Sequence, residues 1–431
     1  MEALGGNIPD RFERRVSNVG CQYIDIDLMV TGSVGPVTED VLADPQFQAD
    51  PHPVYARWRQ AGPVRRVRLP GGPDAWLVTR YEEARQALSD PRLTKSIPLR
   101  TANASALPPD ITSAISRHML AADPPDHTRL RRLVSAAFTA RRIENLRPRI
   151  EEITDGLLDA MAGRDRVDLI DALAFPLPIQ VICDLLGVPA ADRDSFRAWS
   201  TVIVTGAQAG ERLPGALQAM VGYIRELIAE RRAHGGDDLL AGLIGVRDQA
   251  DRLTEDELTS MVFLLLIAGH ETTVNLIGNG AHLLLSRRER WERLRDDPTL
   301  LPGAVEEFLR YDGPVETATS RIAAEDVRIG DQTVPAGAMV LVVLLSANRD
   351  DRFPDPDELR LDRAQNPHLA FGHGIHYCLG APLARLEAQV AFGKLLRRFP
   401  DLRLAVPDAE LSWRAGLLIR GLHRLPVRPG G

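Results

Sequence analysis

The sequence predicts a mainly α fold with a smaller β-rich lobe, folded as a single domain, and three observations carry that expectation. Helical periodicity dominates residues 147–309. Short β-branched or alternating runs at 64–69, 75–79, 327–329 and 339–345 read as strands. A hydrophobic content of 44% over 431 residues supports one large core, although the chain exceeds the usual length of a single domain. No internal repeat or low-complexity block divides the chain. Residues 1–43 read as an N-terminal arm and 44–431 as the folded domain.

The arm carries Asp10, Arg11, Glu13, Arg14, Arg15, Asp25 and Asp27, so it has no apolar stretch near the ~20 residues of a membrane span. It has no signal-peptide core either, and the chain is expected in the cytoplasm, off the membrane. Asp123-Pro124-Pro125-Asp126 opens a helix on which His127 and Arg131, four apart, share one face. Arg129 and Arg132 fall on other faces and are expected to be solvated. Cys183 sits in the apolar run Val181-Ile182-Cys183-Asp184-Leu185-Leu186 and is expected in the core. With Cys21 and Cys378 far from it in sequence, no disulfide framework is indicated.

A longer apolar helix is expected over residues 256–285. Its middle, Ala268-Gly269-His270-Glu271-Thr272-Thr273, breaks the apolar pattern with groups that are costly to bury unbonded. Small Ala268 and Gly269 would leave a groove where Thr272 bonds back to the Ala268 carbonyl. In the next helix, over 303–311, Glu307 and Arg310 are three apart and can pair. Arg310 could reach on to the proline- and aspartate-rich segment 350–356, which reads as an irregular turn. Residues 317–320 read as a strand leading to Arg321. The breaks at 235–238 and 296–298 read as interhelical turns.

The most informative stretch is Phe371-Gly372-His373-Gly374-Ile375-His376-Tyr377-Cys378-Leu379-Gly380, a glycine-punctuated loop running into a helix at Ala381-Pro382. Free N–H groups at that helix start would favour an anionic sulfur on Cys378, suited to binding a metal. Gly374 and Gly380 would let the backbone turn tightly, with Phe371 shielding the sulfur from water.

Together this loop, the Glu307–Arg310 pair and the Ala268–Thr272 run, in this order along residues 44–427, resemble the cytochrome P-450 family. The resemblance implies the fold of that family and a haem b cofactor. Cys378 would be the iron ligand, with Phe371, Gly372, Gly380 and Ala268 against the haem and His127, Arg131, Arg321 and His376 on its propionates. It further implies that Glu271 and Thr272 manage proton delivery during oxygen activation, and that Glu307, Arg310 and Arg352 form a buried ion network. The implied activity is insertion of one oxygen atom from O2, by hydroxylation or epoxidation, into a bulky, largely apolar small molecule. Macrolides and other polyketides come first, with terpenoids and steroids behind. Expected pocket walls are residues 96–120, 262–274, 315–319 and 416–419.

No phosphate-binding glycine loop follows a strand, and Gly278-Asn279-Gly280 lies within the long helix, the wrong context for a dinucleotide fingerprint. Electrons would therefore come from a ferredoxin or flavodoxin with an NAD(P)H-dependent reductase, docked on the cysteine side near Arg129, Arg132, Arg385 and Arg397. A net charge of −7 argues against general nucleic-acid binding. Two rivals stay open on the sequence. A peroxide-driven peroxygenase is disfavoured by the intact Glu271-Thr272 pair, and a non-catalytic helper of the same fold by the presence of Cys378.

Overall fold

Thr254 starts the long helix by accepting from the Glu257 N–H at 3.2 Å and donating its own N–H to the Glu257 carboxylate at 2.9 Å. This reciprocal pair satisfies donors that a helix start leaves free. The helix then runs Glu255–Leu285 and becomes the axis of the molecule. The computed structural model describes residues 41–70, 72–95, 107–205, 210–245 and 253–430. Of the arm expected over 1–43 only Val41–Ala43 falls among them, a helical turn whose Leu42 is buried beside Phe47 and Tyr55.

Helices Pro176–Leu186, Arg212–His234, Leu301–Asp312 and Ala381–Arg398 pack around the long helix. Their apolar faces merge in one core with Leu266, Ile277, Phe308 and Phe392 at its centre. Cys183 is fully buried there, and burial pushes its thiol up to about 12. Both expected interhelical breaks fall between helices. By length and composition the long helix could cross a membrane, with a mean hydropathy of 1.5, but 67% of that window is buried inside the protein. Its apolarity belongs to a core.

The β lobe is a five-stranded sheet of β1 (Val64–Arg68), β2 (Asp74–Val78), β3 (Leu93–Thr94), β5 (Arg321–Ala323) and β8 (Met339–Val342), in the order β1-β2-β8-β5-β3. β2 and β8 pair in parallel, with Trp76 opposite Val340. A smaller sheet joins β4 (Val167–Asp168), β9 (Arg403–Leu404) and β10 (Pro426–Arg428). β6 (Val327–Ile329) and β7 (Gln332–Val334) form a hairpin.

Two strand expectations change in detail. Residues 317–320 make one isolated bridge, Thr317 to Val343, and the strand begins at Arg321. The strand expected over 339–345 ends at Val342, with Val343 left in the isolated bridge, because Leu344–Ala347 closes into a helical turn. Arg321 is nonetheless buried, 3% exposed, at the start of β5 opposite Val340 of β8.

Candidate active site

The cysteine loop is fixed mainly by backbone. Gly372 and Gly374 take φ of +75° and +72°, where a side chain is disfavoured, and a Cβ on Gly374 would meet the Leu88 carbonyl oxygen at 2.9 Å. Gly380 is different. Its φ of −79° suits any residue, and a Cβ would sit 3.9 Å from the Cys378 sulfur, so glycine is not required there for the turn. The Phe371 carbonyl accepts the Cys378 N–H at 2.9 Å, closing the loop on itself.

Solvent reaches Cys378, yet protein crowds it on its other sides and burial pushes its thiol up. Against that push stand the Gly380 amide, the Arg131 guanidinium, the Ala381 amide and Arg385. The two amides and Arg385 act from the start of helix Ala381–Arg398, and Arg131 acts from helix Asp126–Ala137. A bound cation would complete the balance in favour of thiolate.

Beside the loop five cation-capable groups converge: Lys95, His127, Arg131, Arg321 and His376. Burial, then Arg321, brings Lys95 down to about 7, and burial brings Arg321 down to about 10. His376 is held at about 3 by burial and by His127, Lys95 and Arg321. The rings of His127 and His376 meet edge to face at 4.4 Å. Neither ring nitrogen of buried His127 has a well-formed hydrogen bond, though the Ile375 backbone lies close enough to act on the ring. Asp123 is the carboxylate that acts on this group, and it is engaged by the Lys95 N–H at 2.9 Å. A cluster that is short of negative charge and holds an orphaned imidazole fits buried carboxylates such as haem propionates. Lys95 escaped the sequence reading, since no motif marks it. Its Nζ donates to the Thr319 and Ser320 carbonyls at 2.7 and 2.9 Å.

Under the loop, Glu307 accepts from Arg310 at 2.8 Å through both oxygens, from Arg363 Nε at 3.0 Å, from the Arg360 N–H at 2.9 Å and from Asn366 at 3.0 Å. Arg310 and Arg363 spend their remaining donors on carbonyls of residues 348–358. The later arginine of the network is thus Arg363. Arg352, expected in that role, is exposed and pairs with Glu82 at 2.9 Å. The turn at 350–356 points its carbonyls, and not the Arg352 side chain, at the buried charges.

On the other side, Ala268 is exposed in the middle of an otherwise buried helix. The Thr272 hydroxyl donates to its carbonyl at 3.1 Å. Gly269 does not share that groove, because a Cβ there would meet Ile182 at 3.1 Å; it lets a neighbouring helix approach. Thr273 is 2% exposed and faces helix Ala381–Arg398, where Glu387 bonds it and is pushed up to about 8 by burial. Glu271 is buried and tied to Arg414 of the C-terminal segment and, more weakly, to Asn275 Nδ2 at 3.3 Å.

The residues from 193 to 406 match the family model "Cytochrome P450". The chain is 55% identical to cytochrome P450 107B1 of Saccharopolyspora erythraea, over 93% of this chain and 100% of that protein. The chain belongs to the cytochrome P450 family. It is 45% identical to the mycinamicin IV hydroxylase/epoxidase of Micromonospora griseorubida, over 86% of this chain and 94% of that one. The tirandamycin C-bound P450 monooxygenase TamI superposes with a TM-score of 0.83 at 53% identity, covering 90% of this chain and 99% of that one. This P450 is a monooxygenase, and its family carries a haem bound by a cysteine thiolate.

Two arginines expected on a partner-docking face are otherwise engaged. Arg129 pairs with Glu257 and so is not simply solvated. Arg385 is bidentate on Glu306 at 2.7 and 2.8 Å and lies 4.5 Å from the centre of the Phe371 ring. Arg129 thus ties helix Asp126–Ala137 to the start of the long helix, and Arg385 ties the helix after the loop to helix Leu301–Asp312. Arg397 is exposed at the far end of helix Ala381–Arg398, several turns from the loop, where Ile375 and Tyr377 are exposed.

Proposed function

We propose that this P450 inserts one oxygen atom from O2, by hydroxylation or epoxidation, into a bulky and largely apolar small molecule of the macrolide or polyketide class. Terpenoids and steroids stand behind as the next candidates. The observation that carries this is the apolar lining presented to open space: Ala268 in mid-helix, half-buried Leu264 and Leu265 on its face, and Leu418, 47% exposed, on the C-terminal segment. Such walls select by size and shape more than by charge. Relatives named for mycinamicin IV and tirandamycin C support the class.

In this reading the cofactor is haem b, which when bound supplies the oxygen activation and atom transfer. Cys378 holds its iron through sulfur. His127, Arg131, Arg321 and His376, joined by Lys95, bind its propionates, while Phe371, Gly372, Gly380 and Ala268 lie against it. Thr272 holds a water at the groove beside Ala268, and Glu271 passes protons towards that hydroxyl. Electrons come from a ferredoxin or flavodoxin and an NAD(P)H-dependent reductase, in the cytoplasm. The test is a titration of purified holoenzyme with a macrolide, tirandamycin C and a steroid, following the haem's water-displacement spectral shift. Saturable shifts with the first two and none with a charged peptide support the reading. A shift with none of the apolar ligands overturns it.

A further inference from the structure

Glu271 lies on one face of the long helix with Asn275 and Asn279, each four residues on. That face receives the C-terminal hairpin around residues 413–422, in which Trp413 bridges to Leu422 and the Arg414 N–H donates to the Gly421 carbonyl at 2.9 Å. The two asparagines seat it. Asn279 donates to the Arg420 carbonyl at 3.1 Å, and Gly421 lies so close to Asn275 that an added Cβ would fall 1.7 Å from its Oδ1. The hairpin therefore has one seat on the helix, and that seat puts Arg414 on Glu271.

No other cation serves this carboxylate among the described residues. His270 Nε2 stands 4.0 Å away, but that ring is fully buried, its Nδ1 is on the Leu266 carbonyl at 2.7 Å and burial holds it at about 4, so it is neutral. A carboxylate 5% exposed without a counter-charge would take up a proton. Arg414 itself keeps 34% of its side chain in solvent, so the pair joins the buried acid to the surface.

Resting on the reading that Glu271 passes protons, we propose that Arg414 is its positioning residue. It fixes the orientation of the carboxylate, keeps it ionised between turnovers and brings solvent to its outer oxygen. Sequence reading offers no hint of this, since 143 positions separate the two residues.

The test uses holoenzyme at neutral pH and the variants Arg414→Gln, Arg414→Lys, Glu271→Gln and Arg414→Gln/Glu271→Gln. Difference infrared spectra of Arg414→Gln against wild type should show a protonated-carboxyl stretch added to that of buried Glu387, an addition absent from the double variant and from Arg414→Lys. Product per NAD(P)H consumed should fall severalfold in Arg414→Gln and recover in Arg414→Lys, with the substrate KM little changed. An Arg414→Gln enzyme with no new carboxyl band and ordinary coupling overturns the proposal. If Arg414→Gln fails to hold haem while the double variant holds it, the uncompensated carboxylate is the cause and the proposal stands. If both fail, Arg414 serves only the hairpin and the proposal falls. Should the band appear while Glu271→Gln couples normally, Arg414 governs the charge on Glu271 but Glu271 has no part in proton delivery.

Discussion

The cysteine loop and the polar middle of the long helix, which the proposed function assigns to one site, are held by opposite means. At the loop, backbone does most of the holding: two left-handed glycines, a carbonyl on the Cys378 N–H and an ion network whose donors end on main-chain oxygens. At the helix, side chains from distant sequence do it, with Arg414 on Glu271, Glu387 on Thr273 and Arg420 held to Asn279 through its carbonyl. Backbone-held geometry tolerates little change in local sequence. A site held by side chains can be retuned one residue at a time, and that is where the proposed function puts proton supply.

The largest effect should come from the network under the loop. Arg363→Ala breaks a buried ion pair on Glu307 and strips the Pro354 and Asp355 carbonyls of their donor, and should destabilise the protein by about 3–5 kcal/mol. Arg352→Ala, at an exposed pair, should stay within about 0.5 kcal/mol. Denaturant titration of both variants decides it, and equal losses would return Arg352 to the network.

Next in size is a split between adjacent threonines. Thr272→Val should let NAD(P)H consumption continue while product per electron pair falls severalfold. Thr273→Val loses only its bond to Glu387, a loss on the order of 1 kcal/mol in stability, with coupling kept. Peroxide and product measured side by side would expose a wrong assignment if Thr273→Val were the uncoupled variant.

The smallest effect concerns acid stability on the loop side. Burial alone would raise Glu306, but hydrogen bonds from Arg385 and His368 prevail and hold it from its ordinary 4.5 down to about 2. A carboxylate lowered on folding adds stability that is complete above about 4.5 and is lost as pH falls towards about 2. Glu306→Gln should therefore flatten the stability profile in that window and leave its slope near neutrality alone. An unchanged acid limb would mean the Arg385 pair is not coupled to folding.

The same contrast explains what could be read from the chain. Loop geometry was legible because glycine spacing, a lone cysteine and a helix-starting proline are local signals. The long helix was legible within one residue of its start, and the Thr254–Glu257 box is a local mark that would have given the boundary itself. What escaped depends on the fold bringing remote side chains together. Arg363 and Arg352 lie in the same proline-rich region and only tertiary geometry separates them. Lys95 and Arg414 carry no motif, and Gly269 looked like part of the groove until the neighbouring Ile182 showed which way it faces.

The central claim is that Cys378 sulfur is the iron ligand of a haem held between these two regions. The reduced carbon monoxide complex tests it most directly. Wild-type holoenzyme should show the far red-shifted Soret band of a thiolate ligand, and Cys378→Ala reconstituted with haem should lose that band together with monooxygenase activity. A Cys378→Ala protein that kept the red-shifted band would show that another residue binds the iron, and the account built on this loop would be wrong.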